Sequence, residues 1–498
     1  MDVQNRQPMA SSPLPEPRLP HHLGLYYGGR WHQPVQGGRF PVEDPATGAQ
    51  LAEVASASSA DVELAVAAAR EGFAAWRRTP PLERARLLKE AAARLRQHAA
   101  ELALLDAADS GNPVAEMEPD VRNAAAQIDF FAGLVTEMKG ASIPMGPDLL
   151  NFTVREPLGV VARIIPFNHP LLFGAGKSAA ILAAGNAVIV KPPEQAPLTA
   201  LRLAELVDDL LPPGVFNVLP GGREVGAALA GHPGIAKVAL VGSIPAGRAV
   251  MRLAAETIKP VLLELGGKNA LIAFADADPD EVAAGLVAGM NFAWCGQSCG
   301  STSRAFLHED IHDRVLERVQ EQIRRYRPGL PTDRATTMGA IISRAQHQRV
   351  LGYIAAARAE GARLVCGGGV PDAPELRQGT FIEPTIFADV TPEMTIAREE
   401  IFGPVLAVLR WQDREAMLDA VNRPEYGLTC SIWTNDLATA HLTAQEVQAG
   451  FVWINEVAKH FLGAPFGGYK QSGLGREECL EELLAFTQEK NIHLRLRR

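Results

Sequence analysis

From Asp61 to about Asp109 the apolar and polar positions keep a helical rhythm, in a text dominated by Ala, Leu, Glu and Arg. Ser59 or Asp61 is placed to cap the first helix, and Pro80 and Pro81 break the run once. The rhythm then changes. Gly159 to Pro166 (GVVARIIP) is a short β-branched run that predicts a strand, and a small-residue helix is expected from about Leu171. The alternation continues with a strand over Asn186 to Pro192 (NAVIVKP), a helix in LTALRLAELVDDL, a strand in GVFNVLP, a helix after Arg223, a strand in IAKVALVG and a helix after Pro245. Strands alternating with helices predict a parallel, doubly wound α/β sheet. A second α/β series begins near Asn269. NALIAFA reads as a strand and DPDEVAAGLVAGMNFAW as a helix capped by Asp278 or Asp280. RAFLHED, the helix IHDRVLERVQEQIRRY, and a helix with the strand ARLVCGGG between Val350 and Gly369 follow. The final NIHLRLRR alternates as a strand does, and an unpaired terminal strand is a place where a partner subunit pairs.

Composition narrows the class. The chain has 498 residues, 47 % apolar and 21 % charged, which is ordinary globular composition with room for about three domains. A net charge of −9 argues against a phosphate-neutralising surface, so no nucleic-acid partner is expected. The five cysteines (Cys295, Cys299, Cys366, Cys430 and Cys479) are odd in number and sparse. That predicts a reducing compartment rather than a disulfide framework. None has zinc-site spacing, and no metal is expected. The most apolar window, Leu171 to Val190, is interrupted by Lys177, Ser178 and Asn186, so no membrane span is expected. Residues 1–20 hold five prolines and lack an apolar targeting core; they read as a disordered leader of a cytoplasmic protein.

Several positions carry candidate chemistry. No G-x-G-x-x-G occurs. The segment from Gly242 to Gly247 (GSIPAG) keeps P-loop glycine spacing but lacks the Lys and Ser/Thr of a nucleotide triphosphatase. With Pro245 at a helix start and the Ser243 hydroxyl beside it, it is either an anion site or an ordinary strand-to-helix turn. Cys299, in CGQSCGSTS, lies between a helix and a strand among small residues, where a thiol is exposed; the other reading is apolar filler. Cys366 and Cys430, in apolar runs, fit filler, and Cys479 fits a surface or packing role. Glu264, in VLLELGGKN, is a carboxylate in an apolar strand, either a general base with a raised pKa or one half of a salt bridge to Lys268. Asn168, in IPFNHP, is a turn residue or a fixed amide donor.

In order the chain carries PFNHP, KPPE, VGS, ELGGKN, GQSCGS, EEIFGPV and PFGGYKQSGLGRE. This set resembles the aldehyde dehydrogenase superfamily from about Tyr26 to the C-terminus. The resemblance implies an NAD-binding domain over 21–137 and 157–267, a catalytic domain over 268–479, and a small β oligomerisation element over 138–156 and 480–498. It makes Cys299 the nucleophile, Glu264 the base that activates water, and the Asn168 amide with the Cys299 backbone N–H the oxyanion donors. Lys177 matches a lysine near the base. Lys191 and Glu194 match residues that hold the adenosine ribose, and a carboxylate there favours NAD over NADP. Gly242 and Ser243 match the pyrophosphate contact, Gly222 and Gly226 the glycines near adenine, and Glu400 and Phe402 residues around the nicotinamide ribose. Ile165, Pro166, Phe167 and Leu265 complete the cofactor cleft. Phe167 and His169 replace the family's usual aromatics, and Val241 replaces a common Thr. The matched position of His169 is structural.

The expected partner is a small-molecule aldehyde, with a homodimer or homotetramer as the assembly. Phe167, Phe292, Trp294, Trp453 and Phe466 are candidates for an aromatic wall, with Ser298 and Gly300 adding little bulk beside the thiol. An apolar aliphatic or aromatic aldehyde suits that wall, and betaine aldehyde stays open because rings also hold quaternary ammonium groups. Two rivals are a CoA-acylating enzyme, which does not need the water-activating Glu264, and a catalytically silent binding protein, which needs neither Glu264 nor Cys299.

Overall fold

The computed structural model describes residues 16–496. The expected leader falls mostly outside the described residues. Its end does not: Leu19 packs on the first core and Pro20 is buried, so the folded chain begins earlier than residue 21.

The first α/β series forms an eight-stranded sheet. Its parallel centre runs Val261–Glu264, Lys237–Val241, Val160–Ile164, Ala187–Lys191 and Phe216–Val218. Gly473–Leu474 closes one edge antiparallel, and Leu25–Tyr27 with Arg30–His32 closes the other. Successive strand residues enter opposite cores. Val161, Val188 and Leu262 join one cluster, while Val160, Ala162, Ile189 and Leu263 join the other. That split is what a sheet with helices on both faces requires, and it explains the unbroken apolar strands in the sequence. Trp76 is wholly buried in the first core, its Nε1–H donating to Leu182 O at 2.9 Å.

The second series forms a seven-stranded sheet in the order Arg363–Cys366, Thr385–Ala388, Val405–Trp411, Arg304–His308, Ala270–Ala273, Thr429–Trp433 and Phe451–Ile454. All neighbours are parallel except the first pair. Cores again lie on both faces, Ile272 and Ile432 in one and Leu271 and Ala273 in the other. The expectation of two doubly wound sheets therefore holds.

Three local readings are refined. The first helix, Ser59–Trp76, is capped by Ser58, and Asp61 reaches back to its N–H at 2.8 Å. Asp278, not Asp280, caps Pro279–Gly289. The terminal strand, Thr487–Arg495, is not unpaired: it runs antiparallel to Leu149–Pro157 from Thr487↔Pro157 to Arg495↔Leu149, next to Ser142–Ile143. Only its outer edge is open. Among the cysteines, Cys479 is completely buried, so its role is packing.

In the first sheet, register aligns Val241 with Glu264, Leu240 with Ile164, and Ile164 with Lys191. The C-terminal ends of four parallel strands thus stop in one row, and ligands of open α/β sheets bind beyond such ends.

Candidate active site

A cavity of about 310 Å³ is lined by Asn168, Glu264 and Cys299, together with residues of both large sheets. The three candidates for chemistry lie far apart in the chain: Glu264 ends a strand, Asn168 sits in the loop after the strand Val160–Ile164, and Cys299 in the loop before Arg304–His308.

Glu264 is the last residue of its strand. Its carbonyl accepts the Gly242 N–H at 2.9 Å, and Leu265 N–H donates to Ser472 O at 2.8 Å. Both carboxyl oxygens are buried without a hydrogen bond among the described residues. Burial, reinforced by the Glu477 carboxylate, raises its pKa well above the usual range, with Lys177 and Arg476 opposing. The alternative salt bridge to Lys268 does not form. Lys268 is buried with its ammonium unpartnered, and burial pulls its pKa down to about 7.

Cys299 sits on a loop that Asn269 holds. The Asn269 amide donates to Cys299 O at 2.7 Å and to Ser301 O at 2.9 Å, while its oxygen accepts from Thr429 N–H at 3.0 Å. Gly267 lets the loop approach, since a Cβ there would lie 2.6 Å from Cys299 O. Burial pushes the thiol up to about 12, and Glu400 and Glu264 add to the effect. At rest the thiol is protonated. Cys295 is wholly buried and donates to Gly339 O at 3.0 Å, which commits it to packing.

Asn168 is buried. Its carbonyl accepts the Asn112 amide at 2.7 Å, and its Oδ1 has no partner. No hydrogen bond from its Nδ2 occurs among the described residues, so the amide has a donor to give. His169 is committed elsewhere: Nδ1 lies 2.6 Å from Asp120 Oδ2, and the ring meets Trp294 edge-on at 4.6 Å.

Behind Glu264 lies an ion network. Lys177 Nζ bridges Glu477 at 3.0 Å and Glu478 at 2.9 Å, Arg163 adds a second cation to Glu477 at 2.9 Å, and His460 Nδ1 lies 3.1 Å from Glu478. Lys177 holds Glu478 down at about 2.

The cofactor candidates follow the row of strand ends. Ile165 N–H donates to Lys191 O at 3.1 Å, and Pro166 and Phe167 continue from it. Lys191 is buried, and burial lowers its pKa against the pull of Glu194 and Glu224. Its ammonium makes no hydrogen bond among the described residues, so a donor stands open beside an exposed Glu194. A Cβ at Gly222 would lie 3.0 Å from Glu194 Oε1, which leaves this spot for a backbone or a ligand. Gly226 approaches only Ile164, at 3.8 Å. Ser243 caps Ile244–Ala255, its Oγ accepting from Ala246 N–H at 3.4 Å, and Gly242 makes the turn. Leu265 packs where a side chain at Gly247 would sit. Glu400 accepts the Gly267 N–H at 2.9 Å and is raised to about 7 by burial. Phe402 holds a left-handed φ of 54° and meets Phe167 edge-on at 5.7 Å. An open ammonium, a carboxylate that accepts from a diol, and a helix start facing the same strand ends suit a dinucleotide.

Trp294, Ser298, Gly300, Trp453 and Phe466 line the cavity, but two expected wall residues do not. Phe292 is completely buried in the core of the second sheet, 5.8 Å from Tyr326. Phe167 packs against Phe402 on the cofactor side. A single 3-10 turn, Phe292–Trp294, separates Phe292 from Trp294 and turns one ring into the core and the other into the cavity. Sequence reasoning missed Leu172, Phe173, Gln127, Lys459 and His460 as lining residues. Two signals were available: Leu172 and Phe173 directly follow PFNHP, and Lys459 and His460 closely precede PFGGYK.

The model described as aldehyde dehydrogenase family matches residues 31–492. The chain is 53 % identical over 489 residues to the aldehyde dehydrogenase tropH of Talaromyces stipitatus, covering 97 % of this chain and 95 % of that one. It is 43 % identical over 471 residues to a betaine aldehyde dehydrogenase of Mesorhizobium japonicum, covering 94 % and 96 %. Among solved structures, an NAD+ complex of aldehyde dehydrogenase from Bacillus cereus superposes with a TM-score of 0.92 at 38 % identity, covering 96 % of this chain and 97 % of that one. An indole-3-acetaldehyde dehydrogenase of P. syringae, in complex with NAD+ and IAA, gives 0.93 at 38 % identity, covering 96 % and 97 %.

Proposed function

The chain belongs to the aldehyde dehydrogenase family, and from that premise we propose that it oxidises an aldehyde to a carboxylic acid through a thioester on Cys299, using NAD in preference to NADP. The observation that carries this reading is that Cys299, Glu264 and Asn168 line one cavity.

The Cys299 thiol gives its proton to water, and the thiolate sulfur attacks the aldehyde carbon. The developing oxyanion is met by the Asn168 amide and the Cys299 backbone N–H, a pair aimed at charge that exists only in the transition state. NAD+, when bound, supplies the acceptor for the hydride that leaves this carbon. Glu264 then takes a proton from water as the water attacks the thioester, and the acid departs. A carboxyl with a raised pKa is a strong base once ionised, and neighbouring Lys177 stabilises that ionised form. Glu264 favours hydrolysis over transfer to CoA, and the pairing of base with nucleophile disfavours a silent binding protein.

Lys191 and Glu194 would hold the adenosine ribose. The exposed Glu194 carboxylate accepts from a 2′-hydroxyl and repels a 2′-phosphate. Trp294, Trp453, Phe466, Leu172 and Phe173 favour an aldehyde with an apolar aliphatic or aromatic body. Betaine aldehyde, suggested by the relatives of that name, is opposed by Lys459 on the same wall. The open edge of Thr487–Arg495 supports assembly as a homodimer or homotetramer. The five free cysteines support a cytoplasmic location, and no helix among the described residues is long and apolar enough to cross a membrane.

The test is NADH formation with hexanal, benzaldehyde, betaine aldehyde and succinic semialdehyde, with NAD+ or NADP+, and with or without CoA. Aldehyde-dependent NADH without CoA, lost in Cys299→Ala and Glu264→Gln, is expected. Full turnover in either variant, or an absolute need for CoA, refutes the reading.

A further inference from the structure

One lysine at the cavity has no carboxylate partner among the described residues. Asp120 is matched by His169 at 2.6 Å. Glu477 is matched by Arg163 and Lys177, and Glu478 by Lys177 and His460. Lys459 lines the same cavity, and its side chain has no hydrogen bond or ion pair among the described residues. Of the two lysines that line the cavity, Lys177 is paired with carboxylates and Lys459 is not, and Lys459 is exposed where Glu264 is buried.

The loop that carries this lysine is fixed at its backbone. The loop between Phe451–Ile454 and Phe466 contains two non-glycine residues in the left-handed region, Asn455 at φ 52° and Ala458 at φ 54°. Such residues cost roughly 1–3 kcal/mol each and persist only where their surroundings enforce them. Here Asn455 is held by Thr434, accepting its N–H at 3.0 Å and donating to its carbonyl at 2.9 Å. Lys459 O accepts the Trp453 indole N–H at 2.9 Å, which fixes the Lys459 backbone beside a wall ring. The space suits more than a bare ring. A dry cavity of about 150 Å³ takes benzene, and this one holds about 310 Å³.

Resting on the aldehyde-oxidising reading above, we propose that the substrate is an aromatic aldehyde bearing an anionic group, a carboxylate or a phenolate, on the far side of the ring from the aldehyde. Lys459 is the residue that selects it. The rings of Trp294, Trp453 and Phe466 hold the aromatic body, Cys299 meets the aldehyde, and the ammonium meets the anion. Such a substrate neutralises the unmatched charge, whereas a cationic aldehyde would face it.

The experiment compares kcat/KM for benzaldehyde, 4-carboxybenzaldehyde and 4-hydroxybenzaldehyde, with NAD+ and the full chain, at low and high salt. A charged hydrogen bond predicts that the parent prefers the carboxylate or the ionised phenol to benzaldehyde by roughly tenfold or more. The preference should shrink in high salt, fall toward unity in Lys459→Met and invert in Lys459→Glu. Whichever anion shows this pattern identifies the group. Lys459 is exposed, and thermal melting confirms that both variants fold. Turnover of benzaldehyde with no anion preference, or a preference that survives both variants, overturns this inference alone. No NAD-linked turnover of any aldehyde overturns the underlying reading, and this one with it.

Discussion

Replacing Gly467 by alanine tests the position of Glu264 without altering its chemistry. A Cβ at 467 would stand 2.8 Å from Glu264 Oε1, 2.8 Å from Gly475 O and 2.9 Å from Arg476 Cδ. Ordinary contact begins at 3.4 Å, so something must retreat by about 0.6 Å. The Gly475 carbonyl follows Gly473–Leu474, which is paired to the Glu264 strand, and it resists movement. The Glu264 carboxyl is bonded to nothing and yields. Misplacing a reacting group by ~1 Å costs about a hundredfold, so a shift of this size slows thioester hydrolysis by roughly tenfold or more. Overpacking adds about 1–3 kcal/mol of destabilisation. Stopped-flow detection of NADH separates the steps. The first turnover, which needs Cys299 and Asn168, should keep its rate within about twofold. The steady rate should fall, and hydroxylamine, which attacks a thioester without help from a base, should restore it. A parental steady rate in Gly467→Ala would show that the carboxyl is not used where it stands. Equal loss of the burst would show that the glycine serves acylation or folding instead.

Three further outcomes follow from the same geometry. Because burial holds the Cys299 thiol at about 12, iodoacetamide should label it about tenfold faster per pH unit between pH ~7 and ~10; a plateau near pH 8.5, the free-thiol value, refutes this. Glu264 ionises in the unfolded chain near pH ~4.3 but higher in the folded one, so the folded state binds the extra proton and loses stability as pH rises. Glu264→Gln should therefore be more stable than the parent at pH ~8, by about 1–3 kcal/mol, with no difference near pH 4; urea unfolding at both pH values decides. Asn168→Ala should slow the first turnover by roughly a hundredfold to a thousandfold, leaving Tm within a few degrees; an unchanged burst rate removes the amide from the oxyanion site.

The sheets were legible because their strands are buried on both faces. Runs such as AVIVK and KVALV carry no polar interruption from Val188 to Val190 or from Val238 to Val241, and only a doubly covered sheet accepts that. The row of strand ends was legible for the same reason, since each run stops at a Pro, Gly or charged residue. The walls of the cavity were less so. Phe292 and Trp294 are two residues apart, and composition cannot say which ring faces inward. The turn settles it, with Asn291 at φ 55° and Cys295 at φ 55° bracketing the pair, and neither angle is visible in a one-dimensional pattern.

The polar half of the site was hidden for a different reason. A carboxylate is informative only when its partner is known, and here the partners are 301 residues apart for Lys177 and Glu478, and 314 for Arg163 and Glu477. The resemblance picked out Lys177, but nothing local in the sequence names its partner or that of Arg163. Once folded, Arg163 and Glu477 are almost fully excluded from water, and breaking such a pair costs about 3–5 kcal/mol. The pairing fixes Glu477 near Glu264, where it raises the Glu264 pKa. Moving Glu477 would therefore shift the Glu264 pKa and release Arg163 and Lys177 at once, whereas Gly467→Ala acts on the position of Glu264 and Lys459→Met on the cavity lining alone.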